Sequence, residues 1–162
     1  MRAAAIIDTS IFNEFLGIPS KSDESRIKKV LHEFEQLIED RTSFLLPMAT
    51  IYETGNHIAK SSGDRFRLAQ KFVEYVRQAI KGYTSKIPWI AMVIPTNDEV
   101  ELWLSEFPQR AAGEVGMADL SIIKEWEKMV EMNPSRRVFI WALDSDLKGD
   151  DLRAYDQPPT IK

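Results

Sequence analysis

The chain opens on an unbroken apolar run, Ala3 to Ile7, that stops at Asp8-Thr9-Ser10, a trio suited to a turn and a helix cap. This predicts a buried strand feeding a helix, with Asp8 at the strand's C-terminal end. After Ser22-Asp23, the residues Ile27, Val30, Leu31, Phe34, Leu37 and Ile38 recur at helical spacing, which predicts a helix of roughly four turns with one core face. Phe44 to Leu46, before Pro47, reads as a second strand. Helices are expected from Ala49 to about Lys60 and from Asp64 to Lys81; the latter turns Ala69, Phe72, Val73, Val76 and Ile80 inward and stops at Gly82. Trp89 to Ile94, bounded by Pro88 and Pro95, is the third expected strand. Asn97-Asp98 opens a short acidic helix through about Phe107, a loop covers 108–116, and a helix from Met117 to Met132 ends at Asn133-Pro134. Arg137 to Leu143 forms a last strand that runs into Asp144-Ser145-Asp146.

Strands that are apolar throughout and alternate with helices imply an α/β fold with a mostly parallel sheet. Residues 1–148 carry this pattern as one domain, and 149–162, with acidic residues and two prolines, reads as a tail. Ligands in such a fold belong at the C-terminal ends of the strands. A chain of 162 residues can close one core without a covalent brace, and none of its apolar stretches is long enough to span a bilayer. Cysteine is absent, which excludes disulfides, thiolate zinc sites and cysteine nucleophiles, and His32 and His57 are too few for a three-histidine metal centre. Met1-Arg2 leads into no signal-peptide pattern, so a cytoplasmic location is expected. The net charge of −4 argues against a protein that grips nucleic acid through bulk electrostatics. It leaves room for a divalent-metal enzyme, whose clustered carboxylates themselves lower the isoelectric point.

Four acids stand out by position. Asp8 and Asp144 each follow a buried strand. Asp119 shares a helix face with Ile122, Ile123, Trp126 and Val130, so its carboxylate lies on an apolar stripe, where an unpaired charge is costly. Either backbone amides and the helix dipole satisfy it there, or it has a cation to bind. Glu53 lies with Ala49, Thr50, Asn56, His57 and Lys60 on the polar edge of its helix, opposite Ile51, Tyr52, Gly55, Ile58 and Ala59. That pattern alone describes a solvated glutamate and an exposed helix histidine.

Taken in order, the segments Ile6-Ile7-Asp8-Thr9-Ser10, Tyr52-Glu53-Thr54-Gly55-Asn56, Gly116-Met117-Ala118-Asp119-Leu120-Ser121-Ile122-Ile123 and Val138-Phe139-Ile140-Trp141-Ala142-Leu143-Asp144-Ser145-Asp146 resemble the four motifs of the PIN-domain ribonucleases. The similarity spans roughly residues 3–147, and the compact form is similar to the VapC-type toxins of toxin–antitoxin pairs. The resemblance implies a three-layer α/β/α fold and hydrolysis of RNA with Mg²⁺ or Mn²⁺. Asp8, Asp119 and Asp144 would hold the metal and Glu53 would complete the catalytic set, with Ser10, Asn56 and Asp146 as accessory residues. It also implies a homodimer and an antitoxin protein as partners. Ala142 stands where the family often has Thr or Ser, Leu147 where it often has an aromatic residue, and the interval from Glu53 to Asp119 is longer than in the shortest toxins.

Hard cations prefer carboxylate oxygens and water, the ligand type this chain supplies. RNA must still approach an acidic protein, and residues 56–90 hold Lys60, Arg65, Arg67, Lys71, Arg77, Lys81 and Lys86 against Asp64 and Glu74. Lys60, Arg65, Arg67 and Lys71 are therefore candidate RNA contacts, although the same residues suit the solvated face of a helix. Trp103, Trp126 and Trp141 fall in core patterns. A haloacid-dehalogenase-type phosphatase wants a second Asp where Ser10 stands, and a receiver domain needs a mid-chain phosphoacceptor Asp and a late Lys that are not so arranged. The rival function is a PIN-like RNA-binding or protein-interaction module with little turnover.

Overall fold

The computed structural model describes residues 3–82 and 89–143. Lys86, Asp144, Ser145, Asp146, Leu147 and the expected tail lie outside them. The strands are β1 (Ala4–Ile7), β2 (Ser43–Leu46), β3 (Trp89–Ala91) and β4 (Val138–Trp141), all parallel and ordered β3-β2-β1-β4. The helices are α1 (Thr9–Leu16), α2 (Glu24–Glu39), α3 (Met48–Ala59), α4 (Arg65–Lys81), α5 (Asn97–Ala112) and α6 (Met117–Met132). None of them is long and apolar enough to cross a membrane.

The protein is a three-layer α/β/α domain because β1 has no solvent-facing side. Ala4, Ala5, Ile6 and Ile7 are all fully buried, as a central parallel strand covered on both faces must be. Ala5 and Ile7 face one layer with Phe44, Leu46, Phe139 and Trp141, beneath α1, α2 and α4. Trp89, Phe44, Ala5 and Phe139 lie side by side across the strands. Above them, Phe34 of α2 stacks on both Trp89 and Trp141, at 5.4 and 6.2 Å between ring centroids. Ala4 and Ile6 face the other layer with Val138 and Ile140, against Ile122, Ile123, Trp126 and Met129 of α6. The Trp126 indole N–H donates to the Val138 carbonyl at 2.8 Å, and α5 lies outside α6.

The chain steps from β1 to β2 to β3 in one direction and then returns to place β4 on the opposite side of β1. The reversal puts the topological switch point between the C-terminal ends of β1 and β4, where a crevice opens in such sheets. Local signals set the helix that starts there. Asp8 caps α1, and Gly17, in the left-handed region at φ 65°, ends it after two turns. Glu14, fully buried on α1, pairs with Arg26 at 2.6 Å and accepts from the Asp23 backbone N–H at 3.3 Å, which locks the start of α2 against α1.

Several elements differ from the sequence expectation. The short acidic helix does not stop near Phe107: α5 runs through Pro108 to Ala112, so most of the expected 108–116 loop is helical. Pro108 removes the donor for the Leu104 carbonyl, but α5 buries no residue completely and Leu104 is half exposed, where solvent satisfies that oxygen. The inward face of α4 is Leu68, Ala69, Phe72, Tyr75, Val76 and Ala79, whereas Val73 and Ile80 face solvent. β3 ends at Ala91, leaving Val93 and Ile94 exposed.

Candidate acidic cleft

A polar cleft of about 450 Å³ opens beside the switch point, lined among others by Asp8, Asn13, Lys21, Glu53, His57 and Asp119. These residues come from α1 and its cap, the α1–α2 turn, α3 and the first turn of α6. Residues 8, 53 and 119 are therefore far apart in the chain and share one cavity.

Asp8 is 6% exposed, and its Oδ2 accepts from the Ser10 backbone N–H at 3.0 Å and from Ser10 Oγ at 2.6 Å. Burial raises its pKa first of all, the Ser10 hydrogen bonds oppose that, and Glu53 adds to the rise. Ser10 Oγ also accepts from the backbone N–H of Leu143 at 3.1 Å, so a single hydroxyl ties the Asp8 carboxylate to the chain just beyond β4. Thr9 Oγ1 donates to Glu53 Oε2 at 2.7 Å and fixes that side chain toward the cleft. Thr50 Oγ1 donates to the Ile7 carbonyl at 2.8 Å, which pins α3 to the end of β1. Asp119 sits in the first turn of α6, and its pKa is raised to about 6 by burial and then by the negative charges of Asp8 and Glu53. A hydrogen bond from the Gly116 backbone N–H works against this rise. The two readings of Asp119 open from sequence thus both have a physical counterpart: a backbone donor at the helix start and a field of like charges.

The carboxylate donors are hard oxygens, and a pKa raised by burial and then by neighbouring negative charge is the condition a cation relieves. Among the described residues no three carboxylate or imidazole groups stand close enough to hold one ion together. The set fits the way Mg²⁺ is commonly held, by one or two carboxylates with water completing the shell.

Ser10 lies in the cleft as expected, while Asn56 lines a neighbouring groove and Asp144 and Asp146 fall outside the described residues. His57 is not the exposed helix histidine its pattern suggested: it lines the cleft, with Nδ1 3.2 Å from Asn13 Oδ1. The supposed polar edge of α3 is also partly a buried contact, since Thr50 is fully buried while Tyr52, placed on the apolar side, is 68% exposed. The candidate RNA contacts diverge. Lys60 and Arg67 are exposed, Arg65 Nε donates to the Ser61 carbonyl at 2.8 Å, and Lys71 Nζ donates to the Phe15 carbonyl at 3.0 Å near the end of α1. Lys71 is thereby committed to packing. Among the described residues, the cations that line the cleft itself are Lys21 and Arg26, which periodicity did not single out. The only sequence signal for Asn13 and Arg26 was a polar residue within an apolar helical stretch and a basic residue three positions past a cap.

Fold and site together define a parallel α/β domain with a carboxylate-lined cleft at its topological switch point. Comparisons with protein-family models, with curated proteins and with solved structures gave no match.

Proposed function

We propose that this protein is a Mg²⁺- or Mn²⁺-dependent ribonuclease acting at this cleft. The observation that carries the proposal is that Asp8, Glu53 and Asp119, from three distant stretches, line one cavity, where burial and then the charges of Asp8 and Glu53 raise the pKa of Asp119 to about 6. The resemblance of the four sequence segments to PIN-domain ribonucleases directs the choice of substrate to RNA.

Asp8 and Asp119 are the described residues that would hold the metal, with Asp144 the third from sequence. When bound, the cation supplies charge neutralisation at the phosphodiester and a lower pKa for the attacking water. Ser10 keeps one Asp8 oxygen occupied and so fixes the carboxylate's orientation. Glu53, steadied by Thr9, orients a water and accepts its proton as the P–O bond to that oxygen forms and the opposite ester P–O bond breaks, the leaving ribose oxygen taking a proton from solvent. Lys21, exposed at the rim, offers a cation to a neighbouring phosphate.

The test is cleavage of single-stranded RNA by the wild type, Asp8→Asn and Asp119→Asn with Mn²⁺, Mg²⁺ or chelator. Cleavage by the wild type should require metal, and each substitution should lower it by more than ~100-fold, above the usual cost of losing an outer-shell partner. Activity that persists in chelator or survives both substitutions removes the proposal. RNA binding by the wild type without metal-dependent cleavage favours the second reading, a binding module with little turnover. The feature that keeps that reading in play is Ala142, which stands where the family often has Thr or Ser.

A further inference from the structure

A second cavity of about 440 Å³ adjoins the acidic cleft and is lined by Tyr52, Glu53, Ile94, Trp103, Ser121 and Glu125, among others. Glu53 lines both cavities, so a strand whose phosphate lies in the acidic cleft can extend into the second. The second cavity is mainly apolar, and one residue of its lining carries an unanswered polar group. Glu125 is 8% exposed, and its Oε2 is buried without a hydrogen-bond partner among the described residues. A buried oxygen in that state is destabilising unless a ligand answers it. Tyr52 and Trp103 are equally unused. The ring contacts of the described residues lie in the layer under α1, α2 and α4 and involve neither of them.

We infer that this groove is a nucleobase subsite, where a base of single-stranded RNA stacks on Tyr52 or Trp103 and its polar edge meets the Glu125 carboxyl. The inference rests on the ribonuclease reading. Asp119 and Glu125 are six residues apart on α6, or ~9 Å along the axis, a separation that a nucleotide next to the bound phosphate can bridge. Stacking platforms are indifferent to base identity, whereas a carboxyl group reads the donors on a base edge. Burial raises the Glu125 pKa to about 7, with Lys128 lowering it and Glu99 raising it further, so near neutrality the group can donate as well as accept.

The test uses Asp8→Asn protein, so that RNA is bound and not consumed, with labelled uridine, cytidine and adenosine oligoribonucleotides read by anisotropy. Adding Glu125→Gln, which keeps shape, should change the ratio of affinities between bases by ~10-fold. Adding Trp103→Leu should weaken all three by ~10-fold, with Tyr52→Ser as a second stacking variant that leaves the core untouched. Unchanged affinities and ratios in folded Glu125→Gln and Trp103→Leu proteins overturn the subsite, as does binding of an apolar helical peptide there in place of RNA. Loss of metal-dependent cleavage by the wild type would instead sink the ribonuclease reading, because base-dependent binding is measured without turnover.

Discussion

The two faces of α3 meet environments of opposite character. Toward α1 and α4 lies a layer in which Phe12, Phe34, Phe44, Trp89 and Trp141 bury their rings against one another in tilted, stacked and edge-on pairs. Toward α6 lies a mainly apolar groove where Tyr52 and Ile94 are exposed and a buried Glu125 oxygen lacks a partner among the described residues. One helix therefore borders both a finished interior and an unfinished one. The difference is not hydrophobicity but closure: the first region spends its apolar surface on its own chain, and the second holds it in reserve beside an acidic cleft. Stability should be concentrated in the first region and ligand dependence in the second.

Substitution at matched aromatic positions measures that division. Phe12 is fully buried, with its ring near those of Phe72, Tyr75 and Trp89. Phe12→Ala should cost about 3–5 kcal/mol in denaturant unfolding, the usual loss for a core aromatic. Tyr52→Ser should stay within about 0.5 kcal/mol, as most exposed positions do. Comparable losses at the two sites would mean that the groove is part of the core.

The acids of the two cavities respond to pH in separable ways. A carboxyl whose pKa is raised by folding is protonated more readily in the native state than in the unfolded one, so it lowers stability as pH rises. For Asp119 the loss falls between about pH 4 and 6, and for Glu125 between about pH 4 and 7; below these windows both states are protonated and neither group contributes. Metal-free protein should therefore melt at a lower temperature at pH 7 than at pH 5. Asp119→Asn should make the slope shallower below pH 6, where Glu125 still contributes, and leave the part nearer 7 unchanged. Millimolar Mn²⁺ should raise the melting temperature of the wild type above pH 6, where Asp119 is ionised, and do less at pH 5. A melting curve indifferent to Mn²⁺ at every pH counts against metal at this site.

How much of this was legible in the sequence depended on whether a signal was local. The strands were readable because each is a short continuous apolar run, and Asp8 was placed correctly because a strand end and a helix cap coincide there. The phase of α4 was not readable: Leu68, Ala69, Phe72, Val73, Val76 and Ile80 support two adjacent faces, and only packing against Phe12 and Trp89 selects the one with Tyr75 and Ala79. Pro108 argues locally for a helix end, yet on the exposed side of α5, where Leu104 and Pro108 face solvent, the helix tolerates the lost hydrogen bond. The tertiary contacts of His57 and Lys71 had no local signal for a common reason, that their partners, Asn13 and the Phe15 carbonyl, belong to α1, more than forty residues away. Asp144 remains a sequence expectation that lies outside the described residues.

The smallest effect separates the two roles of Asp8. As the cap of α1 it needs an acceptor oxygen, which Asn also provides; as a member of the cleft it needs a charge, which Asn lacks. Asp8→Asn should therefore match or exceed the wild type in metal-free stability, because it keeps the cap and removes a buried carboxylate whose pKa burial and Glu53 have raised. Asp8→Ala removes the acceptor as well. It should cost about 1 kcal/mol relative to Asn, or ~2–4 °C in melting temperature for a chain of this size. Equal melting temperatures for the two variants would show that Ser10 and the contacts around it hold α1 in place without the cap. The placement of the Asp8 carboxylate would then be a property of the cleft and not of the helix.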